Sequence, residues 1–375
     1  MHDPRMTELA GLLASHSTSL QPGEHVLIEA FDIPEAMVIE LIKACRERGA
    51  HPHVALRCNR VLRSLVEGGS DAQFDVMAAG DLDRMQRMDA YIGLRGGFNI
   101  NEMAGVPGDR MKAWGSRYMK PVHLQERVNH TKWCVLRWPT PSMAQLAQSS
   151  TAEFEDFYFN VCTLDYAAMA DAASVLVERM NRTDRVHLVG PGDTDLQFSI
   201  KDIPAVACTG SHNIPDGECF TAPVRDSING VIQYNTPSVY QGQSVHSVRL
   251  EFKDGRIIGH DAESGAEQLS GIFDTDDGAR YVGEFAIGFN PHVREPMMDI
   301  LFDEKIAGSL HFTPGQAYED ADNGNRSDIH WDLVLIQRPE YGGGRIVFDG
   351  EVIREDGEFV VDDLLPLNAA NLVNP

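Results

Sequence analysis

The chain has 375 residues, 43% of them hydrophobic and 23% charged, enough to bury a large core in two or three domains. Its 56 acidic residues against 32 basic ones leave a formal charge of −24, which argues against a nucleic-acid backbone or an anionic membrane surface as partner. The start, MHDPRMTELAGLLASHS, lacks a basic stretch followed by a long apolar one, so no signal peptide is expected, and no run approaches the roughly 18 apolar residues of a membrane span. Six cysteines lie scattered without a C-x-x-C pair, which favours reduced thiols in a cytoplasm over disulfides or a thiolate zinc knot.

In chain order, PGEHVLIEA (22–30) reads as an apolar strand entered from a Pro-Gly turn. Residues 34–48 place Met37, Val38, Leu41, Ile42 and Cys45 on one helical stripe, with Gly49 as the stop. HPHVALR (51–57), MDAYIGLR (88–95) and KWCVLRW (132–138) read as further strands, with a helix near 109–118. This alternation predicts a parallel sheet with flanking helices. GPGDTD (190–195) lacks the third glycine of a phosphate loop and reads as a turn. A long helix is expected over 151–180. After residue 186 short strands are separated by Asp-Gly turns at 254–255, 349–350 and 356–357, the signature of antiparallel hairpins. The expected fold class is therefore α/β: an N-terminal domain, 1–170, and a mixed, largely antiparallel α+β domain, 171–375, with the boundary between 165 and 185.

Common catalytic motifs are missing: the sequence has no H-E-x-x-H helix and no G-x-S-x-G turn. Carboxylates and histidines instead concentrate between 216 and 332. In NRSDIHWDLVLIQ (325–337), read as leading into a strand, His330 and Asp332 share a face while Trp331 turns into packing. Such a pair makes half a cation site or, equally, a His–Asp hydrogen bond at a strand end. In LFDEKIAGSLHFTPGQAY (301–318), Gly308 predicts a turn that folds Glu304 back toward His311, and Tyr318 could offer a phenolic donor. Glu304 as a solvated charge and Tyr318 as a half-buried core residue are the plainer alternatives. Glu218 and Glu284 each follow a glycine and enter an apolar stretch, where a carboxylate needs a cation or a proton. Asp216 reads as a turn residue. Together these groups have the mixed nitrogen and oxygen character of a pair of zinc, cobalt or manganese ions around an activated water.

The stretches HNIPDGECFTAPV (212–224), GEFAIGFNP (283–291), FDEKIAGSLHFTPGQAY (302–318) and NRSDIHWDL (325–333) resemble, in content and order, motifs of the aminopeptidase T / aminopeptidase S family of thermophilic-type metallopeptidases. Weaker similarity extends through the first half, notably over 138–166. The resemblance implies two divalent ions held by Glu218, Glu284, Glu304, His311, His330 and Asp332, with Tyr318 at the catalytic centre and Glu284 or Glu218 bridging the ions or moving a proton. It also implies a homodimer that removes the N-terminal residue of small peptides with a free amino terminus. Two departures stand out: the seven-residue step from Glu304 to His311, longer than in some relatives, and TPGQAY after His311, where many relatives carry an ALG-type sequence. The alternatives are another metal-dependent amide hydrolase, a binding protein that has lost catalysis, or a ring-cleaving dioxygenase with one Fe(II), similar to dihydroxypyridine dioxygenases. In that last branch, two histidines and an aspartate hold the iron. One of those histidines corresponds to Glu284, so the glutamate here favours the hydrolytic form.

Overall fold

The computed structural model describes residues 3–240 and 243–373, and the chain divides into two compact units, Met1–Thr163 with Gly210–Ile214, and Leu164–Thr209 with Pro215–Pro375. No helix among the described residues is long and apolar enough to cross a membrane.

The first unit is built on a parallel sheet whose strands run in the order His51–Arg57, His25–Phe31, Ala90–Arg95, Lys132–Arg137 and Asn213–Ile214. Its inner strands are continuous apolar runs because both faces are covered. Val26, Leu27, Ile28 and Ala30 are buried, as are Ala90, Tyr91, Ile92 and Leu94. The expected 34–48 helix is Glu35–Glu47, burying Met37, Val38, Leu41 and Cys45. The helix near 109–118 is Gly108–Trp114, which continues as wider turns over Gly115–Arg127.

The single helix expected over 151–180 is two. Thr151–Cys162 opens with a Ser150/Glu153 capping box, and a second helix, Tyr166–Arg182, starts where the Asp165 side chain accepts from the Ala168 N–H. At the end of the first helix the Thr163 amide and hydroxyl both donate to the Phe159 carbonyl, at 2.9 and 2.7 Å. Aspartate at an N-cap satisfies one of the amide donors that a new helix start leaves orphaned.

The second unit contains an eight-stranded sheet and a five-stranded one. The five-stranded sheet runs Val334–Ile336, Ser309–Pro314, Val282–Gly288, Glu218–Thr221, Val206–Cys208, every neighbour antiparallel. The three Asp-Gly pairs close hairpins of the larger sheet, with φ of 46° and 81° at Asp254 and Gly255, and similar positive values at the other two pairs. Positive φ at both central residues gives the turn a twist that matches the strands. Phe198 and Phe252 of the large sheet pack on Phe285 and Phe312 of the smaller one, with the Phe198 ring 5.1 Å from Phe285 and 5.0 Å from Phe312. That aromatic core covers one face of the five-stranded sheet. The other face carries the chemistry.

Candidate metal centre

Strand alternation sorts the side chains. Phe285 pairs with Phe312 across the ladder toward the core, so their neighbours Glu284, Ala286, His311 and Thr313 project from the opposite face. On the adjoining strand Glu218 pairs with Gly288 and Phe220 with Ala286, which puts Glu218 on that same face. Three groups distant in sequence thus meet because three short strands share a register. Glu218, Glu284 and His311 are all nearly fully buried.

The remaining groups arrive on loops. The ladder is irregular between Val282 and Glu284, and a Cβ at Gly283 would lie 2.3 Å from the Gln316 carbonyl oxygen. Only glycine lets that backbone approach. The Gln316 carbonyl then accepts from His330 Nδ1 at 2.8 Å. The strand after His330 is shorter than the sequence suggested, Val334–Ile336, with His330 held by a bridge to Gly315 just before it. The alternation nevertheless holds. His330 and Asp332 face the centre, while Trp331 is buried the other way and its indole N–H donates to Ser238 Oγ at 2.9 Å. Thr313 donates to Asp332 Oδ1 at 2.8 Å. Glu304 follows the short helix Ile300–Asp303, whose last residue accepts from the Met297 and Met298 amides. The Gly308 turn, at φ 76°, returns the chain to His311.

All six groups expected from the sequence therefore converge. His311 Nε2 lies 3.2 Å from Glu284 Oε1 and 3.7 Å from Glu218 Oε2; His330 Nε2 lies 3.3 Å from Glu284 Oε2 and 3.2 Å from Asp332 Oδ1. Potential ligand atoms within 4.8 Å of one another form the sets Glu218–Glu284–His311, Glu284–His330–Asp332 and Glu304–His311–Asp332. The Tyr318 ring sits 4.7 Å from that of His330 and 5.6 Å from Phe220, half exposed, and its hydroxyl has no hydrogen-bond partner among the described residues. A cleft of about 110 Å³ opens beside His330 and Asp332, with Val239, Met298 and Ile300 in its wall.

The donor set fits a divalent cation. A carbonyl can only accept, so His330 Nδ1 carries the proton toward Gln316, and neutral His330 turns a bare Nε2 lone pair on two carboxylates. That arrangement is repulsive unless a proton or a metal lies between. His330 Nε2 and Glu218 Oε2 are buried atoms without a hydrogen-bond partner among the described residues. Separations of 3.2–3.3 Å without hydrogen-bond geometry match co-ligands about 2.0–2.2 Å from one ion. Without an ion the imidazoles hold protons. Burial opposes the charge, but Asp332 and Glu284 push His330 up to about 12, and Glu218 and Glu284 push His311 up to about 9. Burial pushes Glu304 up to about 8. Burial also acts against Asp332, yet the imidazolium of His330 holds it well below the usual carboxylate range.

Lys305 was missed. Only 1% of it is exposed, and its ammonium donates to Glu218 Oε1 at 2.6 Å and to Glu304 Oε1 at 2.5 Å, with Asp216 Oδ1 at 3.5 Å. Burial alone would lower its pKa, but the Glu218 and Glu304 carboxylates hold it well above the ordinary value. Asp216, read as a turn residue, is equally buried. Its cluster with Cys208 and Glu218 thus already faces a cation. The available signal was the unbroken FDEK run, a lysine directly after a glutamate already singled out as a candidate ligand.

Residues 2–359 match the thermophilic metalloprotease family M29. Among curated proteins the chain is 39% identical to Aminopeptidase 2 of Geobacillus stearothermophilus over 28% of this chain and 26% of that protein. It is 35% identical to Aminopeptidase T of Thermus thermophilus over 41% and 43% respectively. The matched stretches thus span less than half of either relative. In three dimensions it resembles wild-type AmpT from Thermus thermophilus with a TM-score of 0.75, at 22% identity over 96% of this chain and 99% of that one. It also resembles 2,5-dihydroxypyridine dioxygenase from Pseudomonas putida KT2440 with a TM-score of 0.60, at 13% identity over 96% and 98%. At these identities the two structures establish the fold alone.

Proposed function

The chain belongs to the thermophilic metalloprotease family M29, and from that premise we propose that it is a metal-dependent aminopeptidase acting on small peptides with a free amino terminus. The observation that carries the reading is the position of Glu284, one oxygen facing His311 and the other facing His330. A carboxylate shared in this way suits a pair of ions, so the proposed complement is two of zinc, cobalt or manganese. Glu218, Glu284, Glu304, His311, His330 and Asp332 would hold them. Bound there, they would supply Lewis-acid polarisation of the scissile carbonyl and a water acidic enough to attack near neutral pH.

The chain's own groups do the rest. The Tyr318 phenol, without a hydrogen-bond partner among the described residues, would donate to the carbonyl oxygen as negative charge develops on it. Glu284 or Glu218 would either bridge the ions or pass the water's proton to the leaving amine. A carboxylate oxygen facing the cleft would accept from the substrate's ammonium, which would make the cleavage exo. Residues 171–375 would form the catalytic domain and 1–170 a separate α/β domain. The reading extends to a cytoplasmic homodimer. Free cysteines at all six positions support a reducing compartment, while the dimer rests on family resemblance.

Elemental analysis with assays on aminoacyl amides, with and without chelator, tests the proposal. The expected result is two zinc, cobalt or manganese ions per chain and activity lost on chelation. One iron per chain with oxygen uptake would instead indicate ring cleavage. Replacing His330 or Asp332 by alanine should abolish both metal content and turnover. Full activity with an intact metal complement in either variant would defeat the assignment.

A further inference from the structure

We propose that Lys305 is the positioning residue of this centre: its ammonium fixes Glu218 and Glu304 on the His311 side and thereby sets the affinity of the ion held there. The inference rests on the reading that the site takes two divalent cations.

Three features carry it. The first is orientation. An ammonium has three donors and no acceptor, and Lys305 directs them at Glu218 Oε1, Glu304 Oε1 and, at the longer distance of 3.5 Å, Asp216 Oδ1. With Oε1 of Glu218 engaged, Oε2 is the oxygen left facing His311 Nε2, and it has no hydrogen-bond partner among the described residues. Groups that tie down the outer atom of a ligand in this way tune metal affinity without touching the metal.

The second is rigidity. The Lys305 carbonyl accepts from the Asn290 amide at 2.9 Å, and the Asn290 side chain donates to the Asp216 carbonyl at 2.6 Å. The Lys305 amide itself donates to the Phe302 carbonyl. The lysine is thus held through its backbone to the loop that carries Asp216 and leads into Glu218. A long flexible side chain used inside a closed ring of hydrogen bonds loses its rotamer freedom at folding rather than at ion binding.

The third is charge. Asp216, Glu218, Glu284, Glu304 and Asp332 are five carboxylates in one buried space. Two divalent cations balance four of them, and the ammonium of Lys305 balances the fifth, with both histidines neutral as ligands. Uncompensated charge in a desolvated site is costly, so the lysine belongs to the electrostatic set of the loaded protein. It contacts only the Glu218 and Glu304 side of the centre. The Glu284–His330–Asp332 set is secured separately by Thr313 and by the Gln316 carbonyl.

The test is metal binding by Lys305→Met, with wild type alongside, after dialysis against metal buffers. Cobalt-loaded samples also give a visible ligand-field spectrum. Wild type is expected to take two ions. Folded K305M should keep one and bind the other about ten- to a hundredfold more weakly, with a changed cobalt spectrum. A lysine that merely stabilised the fold would lower the melting temperature and leave stoichiometry and spectrum of the folded protein unchanged, which overturns the inference. Equal weakening of both ions would overturn it as well. Should K305M fail to fold, Lys305→Gln, which keeps a donor without the charge, is measured by the same criteria. A wild type that binds no divalent ion would defeat the two-metal reading itself, a result distinct from any in the variants.

Discussion

Replacing Tyr318 by phenylalanine removes one oxygen from the site and little else. The ring packs against Phe220 at 5.6 Å and His330 at 4.7 Å, contacts that phenylalanine preserves. The side chain is 50% exposed and its hydroxyl makes no hydrogen bond among the described residues, so folding should shift by no more than about 0.5 kcal/mol. Catalysis should respond much more strongly. Loss of one donor aimed at a developing oxyanion costs about 2.7–4 kcal/mol, or a hundred- to a thousandfold in kcat. Because the bond strengthens only as charge forms, KM should hardly change. Steady-state hydrolysis of an aminoacyl amide by metal-loaded Tyr318→Phe, with thermal melting and metal content measured in parallel, reads all three quantities. A fall in kcat of less than about fivefold, roughly 1 kcal/mol, at unchanged metal content would refute the oxyanion role.

His123, in the first unit, is buried beside the rings of Tyr91 and Tyr118, and burial pushes it down to about 4 from an ordinary 6.5. The unfolded chain therefore binds this proton more readily. Its contribution is fully present above pH 6.5 and is lost as pH falls toward 4, about 3 kcal/mol in all. Denaturant unfolding of wild type and His123→Gln over that range should show the steeper acid loss only in wild type, and parallel slopes would contradict it. Phe285 is fully buried between the sheets, facing away from Glu284. Phe285→Ala should lose about 3–5 kcal/mol of unfolding free energy while its folded fraction keeps the wild-type metal stoichiometry. A loss below about 1 kcal/mol would contradict the packing described for the aromatic core.

Features that depend on neighbours in the chain are legible in the sequence. The apolar runs and helical stripe of the first half specify a parallel sheet with flanking helices, and the Asp-Gly pairs specify hairpins because two successive positive-φ residues suit few other sequences. Alternation placed His330 and Asp332 together and Trp331 apart, although the regular strand begins only at Val334. The break at Thr163–Asp165 was a local signal overlooked: an aspartate able to cap a helix interrupts what reads as one apolar stripe.

From sequence alone, the chain's acidity, its element types and the short segments holding the reactive groups were determined, because each follows from side-chain chemistry or a period of a few residues. Tertiary structure decided which groups face one another. Glu284 turns one oxygen to each histidine because of the register between Val282–Gly288 and Ser309–Pro314 and the backbone approach at Gly283. Lys305 reaches Glu218 across 87 positions of chain and carries its charge into the interior. No periodicity encodes such a pairing: a lysine is stable inside only once distant carboxylates have been brought around it, and that happens in the folded state alone.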